Sequence, residues 1–153
     1  MYFEDRALFT AILIKEVIAA SNKASKANMA LAFRLNATSD IKWEKAKLSH
    51  IGVMSSLLAI LHASAPMAKF YDYAKDHKRT SDTLPSFYSL TYSLSEENDI
   101  SSSMVLSRGD NLAVVFDTKR GKPLPATYII NGVSAVVIDG DLTDYRPDDL
   151  KGV

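Results

Sequence analysis

Along the first half of the chain, apolar residues recur at helical spacing. Leu8, Ile12, Lys15 and Ala19 share one line at i, i+4, and Phe9, Leu13, Glu16 and Ala20 share the next, while Val17 and Ile18 widen the stripe. A stripe this wide predicts a helix covered on more than one side. Ser21, Asn22, Ser25 and Asn28 weaken it, because short polar side chains compete for backbone groups. Met29, Ala32, Phe33 and Asn36 then resume the spacing. The pattern allows one helix from about 4 to 36 or two meeting near Ser21–Ser25, and two is the preferred reading. Thr38-Ser39-Asp40 supplies oxygens suited to a helix start. From there Leu48, Ile51, Met54 or Ser55, Leu58, Leu61 and Ala65 predict a further helix, with Gly52 allowing close packing and Pro66 ending it. Ala68 to Lys78 reads as a short helix with Phe70 and Tyr73 or Ala74 inward.

After Pro85 the period changes to two. Phe87, Ser89, Thr91 and Ser93 alternate with Tyr88, Leu90, Tyr92 and Leu94, which predicts a half-buried strand with its Leu and Tyr side inward. Glu96 to Ser103 reads as a polar loop, Met104 to Leu106 as a short strand, and Leu112 to Phe116 as another. Ala126–Ile130 and Val133–Ile138 flank Asn131-Gly132, a strong hairpin signal because both turn positions need positive φ. The expected fold is α+β: an amino-terminal helical layer packed on a carboxy-terminal antiparallel β-meander of four or five strands. It is expected as one domain, 1–153, helical over about 2–78, connected through 78–86, stranded over about 87–138, and ending in an acidic surface tail over 139–153.

Composition narrows the class. With 153 residues, 47% apolar and 24% charged, the chain can bury a core without metal or disulfide. It has no Cys, which excludes thiol catalysis and thiolate zinc sites. The start, Met-Tyr-Phe-Glu-Asp-Arg, is acidic and unlike a secretory leader, and no apolar run approaches the roughly 20 residues of a membrane span. A soluble, cytoplasmic protein without a membrane partner is the expectation.

The net charge of zero hides an asymmetry. Residues 1–82 carry twelve basic and eight acidic side chains, and residues 83–153 carry six and ten. Lys23, Lys26, Arg34, Lys42, Lys45 and Lys47, with Trp43 beside them, form a candidate basic face for nucleic acid or for an acidic partner. A solvated helical surface explains the same charges. The aromatic strand 87–94 carries no Lys or Arg, which disfavours phosphate binding there.

The candidate chemistry is sparse. Asp72 and Asp76, one helical turn apart on the helical reading, lie beside His77 and form a candidate acid–base or metal group. Such a cluster at a helix end also serves simply to complement the dipole. Asp139, Asp141 and Asp144 follow the hairpin as a candidate hard-cation loop, but the run lacks the Gly and bidentate Glu of a twelve-residue calcium loop. His50 and His62 stand roughly 18 Å apart along a helix, too far to share an ion. No glycine pair opens a helix as a phosphate cradle would, and no Ser sits in a nucleophile elbow. Arg108-Gly109-Asp110 matches an adhesion tripeptide too short to carry weight.

No cofactor is implied. The favoured expectation is a non-enzymatic interaction or assembly protein that associates with itself or another protein. The alternatives are a DNA- or RNA-binding regulator using the basic helical face, and a small metal-assisted hydrolase. The absence of a catalytic constellation favours a non-enzyme.

Overall fold

The computed structural model describes the chain except residues 1, 3, 38, 51, 52, 82, 120, 151 and 153, and the side chains of His50 and Val53 also fall outside that description. The expected roles of Thr38, Ile51, Gly52 and the His50 imidazole therefore lie outside the described residues. Helices and strands are interspersed: α1 (Arg6–Lys26), β1 (Ala32–Arg34), a 3-10 turn (Trp43–Lys45), β2 (Lys47–His50), β3 (Val53–Ser56) and α2 (Leu57–Ser64). Then follow β4 (Lys69–Ala74), α3 (His77–Ser81), β5 (Tyr88–Ser93), α4 (Asp99–Ser107), β6 (Leu112–Ala113), β7 (Thr127–Ile130) and β8 (Val133–Val136). Met1–Leu35 with Ile41–Phe70 forms one compact unit, and Asn36–Asp40 with Tyr71–Val153 forms a second.

This order corrects the expected α+β layering. The fold is mixed α/β, with a mostly parallel four-stranded sheet in the order β1-β4-β5-β6. β5 and β6 run parallel, pairing Tyr92 with Leu112 and Ser93 with Ala113, and α4 makes the crossover between them. The β2–β3 and β7–β8 hairpins are antiparallel. Three segments account for the difference. Phe70, Tyr71, Asp72 and Ala74 in β4 are all buried, and a strand covered on both faces loses its alternation, so its Phe70–Ala74 spacing also fits a helix. Among the described residues from Lys42 to Ala65, α2 is the only α-helix, and a hairpin precedes it. Asp99–Ser107 is helical although it reads as polar loop and strand. Its serines satisfy themselves against the helix, Ser103 Oγ donating to Ile100 O (2.9 Å) and Ser107 Oγ to Ser103 O (2.8 Å).

The first unit is organised by α1. Asp5 caps it, accepting from Leu8 N–H at 2.9 Å. The helix runs unbroken through Ser21–Ser25 and ends in a Schellman motif: Asn28 has φ +51°, Met29 N–H donates to Ala24 O at 3.0 Å, and Asn28 N–H to Ser25 O at 3.1 Å. That ending overturns both helical readings, because the chain leaves α1 and enters β1. Trp43 is fully buried, its ring packed against Phe9 and Tyr2, and α2 contributes the buried Leu57, Leu58 and Leu61. Phe33 of β1 stacks on Phe70.

In the second unit, Tyr92, Val105, Leu106, Leu112 and Ile130 make the core, flanked by Leu94, Phe116, Tyr128 and Val133. The inward side expected of the 87–94 strand is observed, with Tyr88, Leu90 and Tyr92 buried. The hairpin at Asn131-Gly132 is also as expected, with φ of +47° and +79° at the two turn residues.

A buried polar network threads through this unit. The Asp72 carboxylate accepts Asn36 N–H at 2.6 Å and Tyr88 O–H at 3.1 Å. Arg79, fully buried in α3, ion-pairs with Asp40. These contacts explain why the five residues Asn36–Asp40 belong with the second unit rather than with the sequence around them. Asp72→Ala leaves two buried donors without their acceptor and is expected to cost about 3 kcal/mol, whereas Tyr88→Phe removes one hydrogen bond and is expected to cost about 1 kcal/mol. Denaturant unfolding of both variants checks this, and equal losses would contradict Asp72 as the shared acceptor.

Candidate functional site

Two surfaces stand out, one in each unit. In the first, the fully buried residues of α1 are Thr10, Val17 and Ala24, seven residues apart and therefore on a single line of the helix. Roughly half a turn around the helix, Leu8, Ile12, Lys15 and Ala19 face solvent. Leu8 is 50% exposed and Ile12 40%, and Ile18 on the flank is 41% exposed beside the exposed Ala11. The wide stripe that predicts cover on several sides is fully buried along one. Its ends differ in charge: Glu4 and Asp5 stand at the start, and Lys23 and Lys26 occupy the last turn.

In the second unit, the polar side of the sheet opens into a cleft of about 840 Å³. Tyr73 of β4 and Thr91 of β5 line it, with Asn111, Lys119 and Lys122. Residues from 138 to 149, with Gly152, also line it, and the segment is tied down at several points. Tyr71 O–H donates to Asp144 O at 2.7 Å, Leu112 N–H to Gly152 O at 3.1 Å, and Gly152 N–H to Asn111 Oδ1 at 3.2 Å. Gly152 lies against the Val136 carbonyl oxygen so closely that a Cβ has no room. The expected surface tail is thus a docked strap at these points. Arg146, its side chain 9% exposed, organises the strap: Nη1 pairs with Asp149 at 3.0 Å, and Nη2 donates to the carbonyls of Gly140 and Thr143. Among the described residues its buried Nε has no hydrogen-bond partner, and the residue borders the cleft.

A family model described as Gene product 88 matches residues 1–152, nearly the whole chain. The chain belongs to the Gene product 88 family. No curated protein and no solved structure matches it.

The residues singled out in this Gene product 88 chain fall into three groups. Asp72 lies in β4, buried, and Asp76 lies beyond the end of that strand, where its Oδ1 accepts Lys78 N–H at 3.0 Å. The helical turn that would stack the two carboxylates is absent. His77 opens α3, and its carbonyl accepts from Thr80 Oγ1 and from Arg108. Arg108 of the adhesion-like tripeptide is itself held by Asp110 and Thr80.

The basic side chains of this Gene product 88 chain are distributed over several elements: Lys23 and Lys26 on α1, Arg34 in β1, Lys42 and Lys45 around the 3-10 turn, and Lys47 in β2. They form no single helical ridge, and the buried Trp43 ring packs on Phe9 and Tyr2 rather than offering a face for a base. Asp139, Asp141 and Asp144 each line the cleft. Asp139 Oδ1 is engaged by Asp141 N–H at 3.0 Å, and among the described residues no group of three or more acidic or histidine side chains is placed to hold a metal. No described helix is long and apolar enough to cross a membrane.

Sequence reading missed the cleft because its floor comes from the polar face of β5, which alternation assigns to solvent, and from β4, which reads as helix. On the strap, burial and then the hydrogen bond and charge of Asp148 raise the Tyr145 hydroxyl above its usual 10.0. The neutral phenol is therefore favoured by folding. Its contribution to stability is present below pH 10.0 and is lost as pH rises through the folded-state value. Asp148→Asn is expected to bring the Tyr145 titration down toward the ordinary value, as followed by ring NMR of labelled tyrosine; an unchanged titration would remove Asp148 as a cause.

Proposed function

We propose that this Gene product 88 protein is a non-enzymatic interaction protein that assembles with itself, using the solvent-facing side of α1. The observation that carries the reading is the exposure of Leu8, Ile12 and Ala19 opposite the buried line of the helix. Leu8 and Ile12 stand one turn apart on this side, an exposed apolar pair that a docking partner would cover. The magnitude sets the kind of assembly. Full burial of a Leu or Ile is worth about 1.5–3 kcal/mol, so the exposed halves of Leu8 and Ile12, counted twice in a symmetric pair, supply about 4 kcal/mol. Association itself costs about 4–15 kcal/mol. The expected assembly is weak and strongly concentration-dependent.

Sedimentation equilibrium from micromolar to millimolar protein tests it. The mass should rise above the 16.8 kDa of one chain, and Ile12→Glu should hold it at the monomer. A monomer throughout for the unaltered chain would sink the proposal. The dispersal of the basic side chains and the burial of Trp43 weigh against a nucleic-acid regulator, and the separation of Asp72 from Asp76 weighs against a hydrolase built on them.

A second reading rests on the orphaned Arg146 Nε beside the cleft. A buried donor without an acceptor costs about 1–3 kcal/mol, which a small polar ligand presenting an oxygen would recover. Thermal melts with inorganic phosphate, citrate or glucose at millimolar concentration check this. A rise in melting temperature that Thr91→Val diminishes supports a cleft ligand, and no rise with any of the three counts against it.

A further inference from the structure

We infer that the occupant of the α1 face is a second copy of the same helix, laid antiparallel across a twofold axis near the middle of α1; this rests on the self-association reading above and gives it an orientation. The charge sequence along the exposed side carries the inference. α1 begins with Arg6, which falls on the line of Thr10 and Val17 away from this side; Glu4 and Asp5 precede it, Lys15 and Glu16 lie near its centre, and Lys23 and Lys26 end it. A parallel copy would set Lys15 on Lys15 and Lys26 on Lys26, like on like along the whole contact. An antiparallel copy sets the acidic start of each helix against the basic end of the other, and brings each Lys15 near the other's Glu16. The helix dipoles then also oppose rather than align.

The apolar groups fit the same arrangement. Leu8 and Ile12 lie in the first half of the exposed line, and Ala19 lies in the second. Reversal about residue 15 or 16 therefore places Ile12 of one copy opposite Ala19 of the other, a large side chain against a small one, as interdigitation requires. A twofold pair is also self-complementary, so one patch on one chain suffices.

The absence of Cys makes the orientation directly readable. Single cysteines are introduced at the exposed positions as Glu4→Cys, Lys15→Cys and Lys26→Cys, and each chain is oxidised at a concentration where sedimentation shows association. An antiparallel pair about residue 15 lets Lys15→Cys cross-link to itself, leaves Lys26→Cys alone as monomer, and cross-links a mixture of Glu4→Cys with Lys26→Cys. Efficient self-cross-linking of Lys26→Cys would show a parallel pair and overturn the inference while leaving self-association standing. Association with no cross-link at any of the three positions would move the contact off α1 and also overturn it. A chain that stays monomeric before any substitution would instead remove the reading on which the inference rests. Circular dichroism of each variant confirms that α1 is intact, and these surface positions lie away from the buried line.

Discussion

The Asp72 carboxylate holds the most consequential position in the molecule. It sits inside β4 at 1% exposure, where an ionised group is tolerated only if its oxygens are satisfied. The backbone N–H of Asn36 and the Tyr88 hydroxyl both donate to it. Sequence positions 36, 72 and 88 are thereby fixed around one group. The Arg79–Asp40 pair repeats the pattern, joining α3 to the same short segment. An apolar side chain in place of Asp72 could fill space, but it could not recruit a backbone N–H from 36 residues away.

What was legible in the sequence follows from where the environment is one-sided. The 87–94 strand has one core face, so its Tyr88, Leu90 and Tyr92 declare themselves by alternation. The Asn131-Gly132 turn is legible because its backbone requirement is chemical and local. α1 is legible as a helix, though not its end, since Asn28 acts as a left-handed cap and not as a weak helical residue. β4 is illegible because both its faces are covered and one buried side chain is a carboxylate. α4 is illegible because its serines find carbonyl partners within the helix itself. The cleft could not be read at all, since it depends on which strand lies beside which, a non-local fact that spacing along the chain does not carry.

The two units also divide the charge more sharply than a cut in the sequence does. Counted over the sequence, Met1–Leu35 with Ile41–Phe70 carries nine basic and four acidic side chains, and the remainder carries nine and fourteen. The neutral total is thus a balance between a basic body and an acidic one. The basic one bears α1, preceded by Glu4 and Asp5 and ending in Lys23 and Lys26, and the acidic one bears the strap and its cleft. Net charge is a poor guide to either surface; local arrangement decides which contacts each can make.

The assignment of Asn36–Asp40 to the second unit has a practical consequence for anyone dissecting the chain. The backbone passes from one unit to the other at 35–36, returns at 40–41, and leaves again at 70–71. No single cut yields two intact halves. A fragment ending near residue 70 keeps the segment but loses the carboxylate and arginine that hold it, and a fragment beginning there keeps those groups but lacks the segment. Synthesised from the amino terminus, residues 36–40 must wait for Asp72, Arg79 and finally Tyr88 to emerge before their polar contacts can close.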